Sequence, residues 1–149
     1  MLRAGEKGQR DAKHSPWNFV VVSIGGRRLA VKTLEVAGIS PWKSSIPVGS
    51  RTPFITSVVR QGQTVLPVFD MASFLRLCVQ GNHPLCLRIK HPLGDMVMCI
   101  DEEIPVLHTL EPSGIQVYQG KDIPAEGSYA NGLDEIPILA ISQLGSCMK

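Results

Sequence analysis

The sequence contains few aromatic residues, and this shortage limits what can build its core. Phe, Trp and Tyr make up 5% of the 149 residues, whereas hydrophobic residues as a whole make up 44%. Most of the core must therefore come from Val, Ile and Leu, and the β-branched residues among these favour strands. Together with 14 Gly and 11 Pro, this composition predicts many short strands joined by tight turns.

Long apolar segments are also missing. No apolar run approaches the ~18 residues that a membrane-spanning helix requires. The first residues lack the apolar stretch of ~7–15 residues that marks a secretory signal. We therefore expect a cytoplasmic protein that does not insert into a membrane.

The cysteines show no spacing typical of a metal or redox site. Cys78, Cys86, Cys99 and Cys147 include no CxxC pair. In a reducing compartment such cysteines are most simply free thiols. Cys86 and Cys99 lie within apolar segments, where a cysteine behaves as a small hydrophobic residue.

Excess charge is confined to the beginning of the chain. Residues 1–16 contain four basic and two acidic residues, and this difference (4 − 2 = +2) equals the net charge of the whole chain. We predict that residues 1–16 form a disordered basic tail and that the globular part begins at Trp17. The rest of the chain is neutral, which disfavours a surface that follows nucleic-acid phosphates.

The familiar catalytic signatures are absent. The sequence contains no GxSxG, HExxH, P-loop or GxGxxG motif. We therefore predict that the protein is not an enzyme, with no catalytic residue and no cofactor. The alternative of an unfamiliar active site stays open, with Asp70, Asp101 and His108 as its candidates.

Two clusters of polar residues could suggest a metal site. His83, Cys86 and His91 lack the spacing of a strong zinc motif, and we interpret the histidines as exposed loop residues. Asp101 and its two acidic neighbours point to alternating sides of a strand. We interpret them as a solvated strand end and predict no metal.

A repeat is the most informative feature of the chain. Phe19–Ile39 and Leu85–Leu107 both show a strand, a glycine-containing turn and a second strand, and Gly26 precedes Val36 by the same number of residues as Gly94 precedes Ile104. Val65–Phe74 is repeated in the same order by Glu135–Leu144. We infer a duplicated β unit. A duplicated all-β protein without catalytic motifs is more typical of a binding scaffold.

The first half of the chain also predicts a second hairpin. Phe54–Arg60 and Thr64–Asp70 are the two strands, with the turn at residues 61–63. Met71–Leu77 has apolar residues at helical spacing and predicts a short helix. No long helical segment is present, which disfavours βαβ folds.

An ordered series of segments from Phe19 to Leu144 resembles the CheW family of chemotaxis coupling proteins. FVVVSIGGRRLAV resembles the opening hairpin of the family, and VLPVFDM resembles its V-x-P-V-x-D-L string. GDMVMCIDEEIPVL is similar to the G-x-x-x-G-x-x-V-D-x-V of the second half, and IPILAISQL resembles the closing segment. The resemblance implies an all-β fold of two packed SH3-like five-stranded β-barrels with an apolar groove between them. It implies one CheW-like domain over residues 17–149, with sub-barrels at about 19–77 and 85–144.

The resemblance also implies a function. The protein would be a non-enzymatic adaptor or scaffold that couples a CheA-like histidine kinase to a methyl-accepting chemoreceptor, in chemotaxis or a related motility pathway. One barrel would contact the kinase, and the groove would take the helical hairpin of the receptor. The alternative is a small β-barrel binding module, for nucleic acid or another protein, unrelated to chemotaxis.

The family's signature hairpin, G-x-x-N-L-R-G, is altered in this chain. Aligned without gaps from Pro67, Arg60 stands where the family has Asn, and Gly62 stands where it has Arg. Gly38 stands where the family has an acidic residue after Val36. We predict a partner-binding surface at positions that match the family's contact segments. At the hairpin tip the residues have changed, and the other positions lie near the groove. The predicted residues are Val36, Ile39, Arg60, Gly62 and Gln63.

Overall fold

The structure, a computed structural model, describes residues 15–145. Most of the predicted basic tail (residues 1–14) and Cys147 lie outside the described residues. Short strands dominate the described part, as the composition predicts. They are β1 (Trp17–Ile24), β2 (Arg27–Lys32), β3 (Val36–Pro41), β4 (Ile46–Pro47), β5 (Ile55–Gln61), β6 (Thr64–Phe69), β7 (Leu85–Ile89), β8 (Met96–Ile100), β9 (Val106–Leu110), β10 (Ala125–Asn131) and β11 (Asp134–Leu139).

Helical structure is limited to α1 (Met71–Leu75) and three short 3₁₀ turns among the described residues. Asp70 caps α1, because its carboxylate accepts a hydrogen bond from the Ser73 N–H at 3.1 Å. Arg76 ends the helix in the left-handed conformation, with φ 60°. The predicted short helix is therefore confirmed, although it ends two residues earlier. Within residues 15–145 no helix has both the length and the apolar character to cross a membrane.

The strands form two sheets. Sheet A has five strands in the order β10-β11-β2-β1-β9, and sheet B has six in the order β3-β7-β8-β6-β5-β4. The all-β prediction of two barrel-like sheets is confirmed. The predicted five strands are correct for sheet A, whereas sheet B gains the short β4, which pairs with β5 through Ile46 and Pro47.

The predicted duplication appears in the topology of the sheets. In sheet A the hairpins β1–β2 and β10–β11 meet through a parallel contact between Ile138 and Ala30. In sheet B the hairpins β7–β8 and β5–β6 meet in the same way, through Val68 and Val97. In each sheet a further strand, β9 or β3, then pairs with the outer side of β1 or β7.

The two repeats exchange strands, so each sheet differs in its residue ranges from the predicted sub-barrels. Sheet B is built entirely from residues 36–100, whereas sheet A joins residues 17–32 to residues 106–139. The predicted division at 19–77 and 85–144 does not match the sheets. The reason is that the strand after each first hairpin leaves its own sheet and pairs with the other one.

The largest hydrophobic core lies where the two sheets meet. It includes Val20 and Val22 of β1 together with Leu87 and Ile89 of β7. Residues at alternate positions of β1 face the other way, so that Phe19 joins a smaller cluster within sheet A. Sheet B has its own inner cluster of Val59, Leu66, Val68, Cys86 and Val97. A core thus fills the space between the sheets.

Candidate functional site

The tip of the β5–β6 hairpin is an exposed tight turn. Gln61 pairs with Thr64, and Gly62 between them has φ 62°. The Arg60 side chain folds over the turn, where its Nε donates a hydrogen bond to the Gly62 carbonyl oxygen at 3.1 Å. Arg60, Gly62 and Gln63 are all exposed. The structure therefore brings these three predicted site residues together in one surface turn.

One side of this hairpin tip borders a cleft of about 310 Å³, which we call the tip cleft. One wall consists of Val59–Gly62, and the other consists of Ser40–Ser44. The second wall begins one residue after Ile39, which does not itself line the cleft. Lys43 and Arg60 line the cleft and no acidic residue lines it, which gives it a positive character.

Strand β3 carries the remaining predicted residues on an edge of sheet B. It pairs with β7, Ile39 opposite Leu87 and Val36 opposite Ile89, and no strand of the described chain pairs with its other edge. Ile39 is 41% exposed, whereas Val36 is half-buried and packs against the main core. Ile39 thus extends the apolar face of Leu87 to the surface. Val36 lies at the far end of the strand and does not line the tip cleft.

A chain of polar contacts connects the hairpin tip to the interior of sheet B. Gln61 Nε2 donates a hydrogen bond to Cys86 Sγ at 3.4 Å. Arg88 donates to Gln61 Oε1 at 3.4 Å through Nη1, and to Asp95 Oδ2 at 2.9 Å through Nε. The Ser40 side chain also bonds Cys86, while burial raises the pKa of the Cys86 thiol. The two walls of the tip cleft therefore meet at one buried sulfur atom.

A second apolar edge, which was not predicted, lies at β9. Leu107 of this strand is 76% exposed, and Ile104, two residues before the strand begins, is 80% exposed. Leu107 pairs with Val20 of the main core, just as Ile39 pairs with Leu87. The signal was present in the repeat: its spacing places Ile104 at the position of Val36, and Leu107 follows Ile104 as Ile39 follows Val36.

Asp101 is a structural residue, and its interpretation as part of a solvated strand end is wrong. It is 3% exposed. Its Oδ1 accepts hydrogen bonds from the N–H groups of Gly25 at 2.9 Å and Gln80 at 2.8 Å, and its Oδ2 accepts one from Gly26 at 2.8 Å. Because Asp101 follows β8 of sheet B and Gly25 lies in the β1–β2 turn of sheet A, this carboxylate fastens one sheet to the other.

The two neighbours of Asp101 are exposed, as expected. Glu102 Oε1 accepts hydrogen bonds from the N–H groups of Asn82 and His83, at 2.8 and 3.0 Å, and these bonds lower the pKa of Glu102. Glu103 lies 3.6 Å from Arg28 in a surface ion pair. These carboxylates bind backbone and arginine groups of the chain itself.

The three residues of the alternative active site are separated by the fold. Asp70 caps α1, Asp101 joins the sheets, and the His108 ring stacks on Tyr129 with centroids 4.9 Å apart. Asp70 and Asp101 line none of the five main clefts of residues 15–145, and His108 lines one of them. The residues lack the common site that shared chemistry would require.

The histidines and Cys86 of the possible metal site do not form a set of metal ligands. His91 Nε2 bonds the Leu144 carbonyl oxygen at 3.2 Å, while Cys86 faces the inner cluster of sheet B. Across the described ranges, no three His, Cys, Asp or Glu side chains are grouped as metal ligands would be.

Comparison with known proteins identifies the fold. No family model and no curated protein sequence matches the chain. Among solved structures, the chain is similar to the crystal structure of scaffolding protein TtCheW from Thermoanaerobacter tengcongensis, with a TM-score of 0.73 and 14% sequence identity. The likeness covers 87% of this chain and 92% of that chain. The two exchanged β-sheets of this protein therefore form a CheW-like fold.

Proposed function

We propose that this protein is a non-enzymatic adaptor of chemotaxis or related motility signalling, which holds a CheA-like histidine kinase and a chemoreceptor together. The observation that carries the proposal is the likeness to a CheW scaffolding protein over nearly the full length of both chains. Residues 17–149 would act as one cytoplasmic domain. The adaptor would transmit signal by holding its partners in one geometry and shifting their populations, without chemistry of its own.

The proposed partner surface comprises the tip cleft and the β3 edge. Ile39 offers exposed apolar area on the β3 edge, and Lys43 and Arg60 offer positive charge in the tip cleft. An apolar stripe on a partner helix complements the edge, and an acidic partner side chain complements the cleft. Val36, Gly62 and Gln63 belong to the same surface through their places on β3 and in the turn.

The β9 edge supplies a second part of the surface. An adaptor needs more than one contact region, and Ile104 and Leu107 repeat the apolar positions of β3 on the other sheet. Exposed apolar residues on an unpaired edge strand mark sites where another chain can bind. We propose that the receptor's helical hairpin contacts both edges, and that the tip cleft contributes to the kinase contact.

Binding of purified proteins tests this proposal. The protein is titrated with the regulatory domain of each CheA-like kinase of the host, and separately with a cytoplasmic receptor fragment. Ile39→Asp and Leu107→Asp should each weaken receptor binding by tenfold or more, because either change places a charge in an apolar contact, at a cost of about 1.4 kcal/mol or more.

Leu133→Asp is the matched control. Leu133 is fully exposed at the tip of the β10–β11 hairpin, the repeat counterpart of the β5–β6 tip, so this variant should bind like the wild type. A folded wild-type protein that binds none of these kinases and receptors would overturn the proposed function. Wild-type binding that neither Asp substitution weakens would overturn the assignment of the two edges.

A further inference from the structure

Two cysteines face each other across the β7–β8 hairpin. The register places Cys86 directly opposite Cys99, between the pairs Leu85–Ile100 and Leu87–Met98. Side chains that are directly opposite on antiparallel strands lie on the same face, with Cβ atoms ~4.5–5.5 Å apart. A disulfide needs Cβ atoms ~3.5–4.5 Å apart. A small local closure of the hairpin is therefore enough to join the two sulfur atoms, which are free thiols in the structure.

The surroundings of the two thiols agree with this geometry. Cys86 is buried in the inner cluster of sheet B, and Cys99 is half-buried. Burial raises the pKa of Cys99 to about 11, and the neighbouring Cys86 adds to this rise. Because only the thiolate attacks a disulfide, this raised pKa makes the exchange slow at neutral pH and faster as the pH rises.

We propose that Cys86 and Cys99 form a thiol–disulfide exchange site, which takes a low-molecular-weight disulfide of the glutathione type and closes into an intramolecular disulfide. Cys99 is the more accessible of the two, so its thiolate attacks first: a bond forms to one sulfur of the reagent, and the other sulfur leaves as a thiolate and takes up a proton. Cys86 then loses its proton and attacks the Cys99 sulfur of the mixed disulfide, and the second reagent thiol leaves. In total, the protein loses two protons and two electrons, and one disulfide becomes two thiols.

Closing this disulfide affects the tip cleft. Cys86 Sγ accepts the hydrogen bond from Gln61 of the hairpin tip and also bonds Ser40 of the opposite wall. Moving the sulfur towards Cys99 weakens both contacts, because the acceptor atom shifts away from Gln61 and Ser40. Oxidation should therefore loosen the cleft walls. The disulfide itself does not depend on the proposed adaptor role, whereas any effect on partner binding rests on it.

Mass spectrometry of a protein with only these two cysteines tests the proposal. Cys78→Ser and Cys147→Ser are combined to remove the other thiols, and the folded protein is incubated with oxidised glutathione. The intact mass should fall by ~2 Da, as expected for one disulfide, and peptide mapping should join Cys86 to Cys99. The rate should rise about tenfold per pH unit between ~pH 7 and ~pH 9, because the thiolate fraction does so below the thiol pKa.

Two further variants and one exchange measurement complete the test. Adding Cys86→Ser should stop the reaction at a glutathione adduct on Cys99. In the oxidised protein, the amide hydrogens of the hairpin tip at residues 60–64 should exchange faster than in the reduced protein, while those of the β10–β11 tip stay unchanged. The proposal is overturned if the two-cysteine protein stays reduced while folded, if it accumulates only the mixed disulfide, or if the joined form appears only in urea. An unchanged exchange rate at residues 60–64 overturns the link to the tip cleft.

Discussion

Two hairpin turns of this protein contain a glycine with the same φ of 62°, but they differ in everything around that glycine. In the β1–β2 turn, the Gly25 N–H binds the buried Asp101 carboxylate, and a Cβ added at Gly25 would lie 2.5 Å from Leu77 Cβ. In the β5–β6 turn, a Cβ added at Gly62 would meet nothing within 4 Å. The first turn is part of the framework, and the second is open to the solvent.

The contrast shows how one local geometry serves two purposes. The β1–β2 turn is fastened by a carboxylate from the end of β8, so it links sheet A to sheet B. In the β5–β6 turn, Arg60 binds the Gly62 carbonyl oxygen across the tip, and Gln61 binds Cys86 at its base. Arg60, Gly62 and Gln63 are exposed to the solvent, which is why we propose partner binding there and assign stability to the first turn.

Removing the Asp101 carboxylate should have the largest effect on stability. Asp101→Ala leaves three backbone N–H groups without their acceptor, and we expect a loss of about 3 kcal/mol or more in the free energy of unfolding. Urea unfolding followed by circular dichroism measures it. Glu103→Ala, which removes only an exposed ion pair two residues away, is the control and should cost less than ~0.5 kcal/mol. Equal losses of unfolding free energy in the two variants would contradict the role of Asp101 in fastening the two sheets together.

Adding one methyl group to each turn compares the two glycines directly. Gly62→Ala should cost about 1–2 kcal/mol, the usual penalty for the left-handed conformation without a clash. Gly25→Ala carries the same penalty and also forces Leu77, in the segment after α1, to shift, so we expect roughly 2–4 kcal/mol. The difference between the two unfolding free energies is the quantity to measure. If Gly62→Ala is the more destabilising change, the open turn has a structural role that the contacts do not show.

The sequence could predict the repeat and the hairpins, because turns and alternation are local signals. It could not predict which sheet each third strand joins. These third strands are short: Val36–Pro41 pairs with β7, and Val106–Leu110 pairs with β1. Both partners lie far away in the chain, and the amino-acid sequence of a short strand does not specify a long-range pairing. We therefore expected two contiguous barrels.

Strand β10 was missed for a different reason. Ala125–Asn131 alternates between small, polar and aromatic residues, and Gly127 lies within it. The structure explains this glycine, because an added Cβ would lie 2.9 Å from Ile115 Cγ2 and 3.0 Å from the Gln116 carbonyl oxygen. It allows the segment around Gln116 to approach the edge of the strand. In the sequence, the same glycine only weakened the strand signal.

The candidate site was predictable in part, for the same physical reason. The resemblance led to the hairpin tip and β3, but Asp101 seemed to be a solvated acid because its partners, Gly25 and Gly26, are remote in sequence. Leu107 of β9, and Ile104 just before this strand, could have been found from the repeat alone. What needed the structure was the tip cleft, since one wall comes from the β5–β6 hairpin and the other from the end of β3 and the segment that follows it.

The other link between the sheets, the short turn Thr33–Glu35 between β2 and β3, should have a smaller and pH-dependent effect. Burial raises the pKa of Glu35, with a smaller opposing contribution from Lys32, and its Oε1 has no hydrogen-bond partner. A carboxyl group whose pKa is raised by folding adds stability below its unfolded pKa, and this stability is lost as the pH rises through the folded pKa.

Glu35→Gln should therefore remove this pH dependence and leave the protein at least as stable as the wild type at neutral pH. We expect a gain below ~1 kcal/mol, because the group is partly exposed and screened by solvent. Unfolding free energies at several pH values from mildly acidic to neutral measure it, with Glu111→Gln, an exposed change, as the control. A variant that keeps the wild-type pH dependence would show that another group causes it.

Arg60→Ala should have the smallest effect on stability and, under the proposed function, a large effect on binding. Its contact within the chain is one exposed hydrogen bond to the Gly62 carbonyl oxygen, so the loss in unfolding free energy should be below ~0.5 kcal/mol. Arginine is enriched among the residues that dominate interfaces, where truncation costs ~2 kcal/mol or more. Arg88→Ala is the matched comparison, because Arg88 holds Asp95 and Gln61 inside sheet B: it should lower stability more than Arg60→Ala does. If Arg60→Ala changes neither the stability of the protein nor its binding to the kinase and the receptor, the open turn has no role in partner recognition. The two turns would then differ in their packing alone.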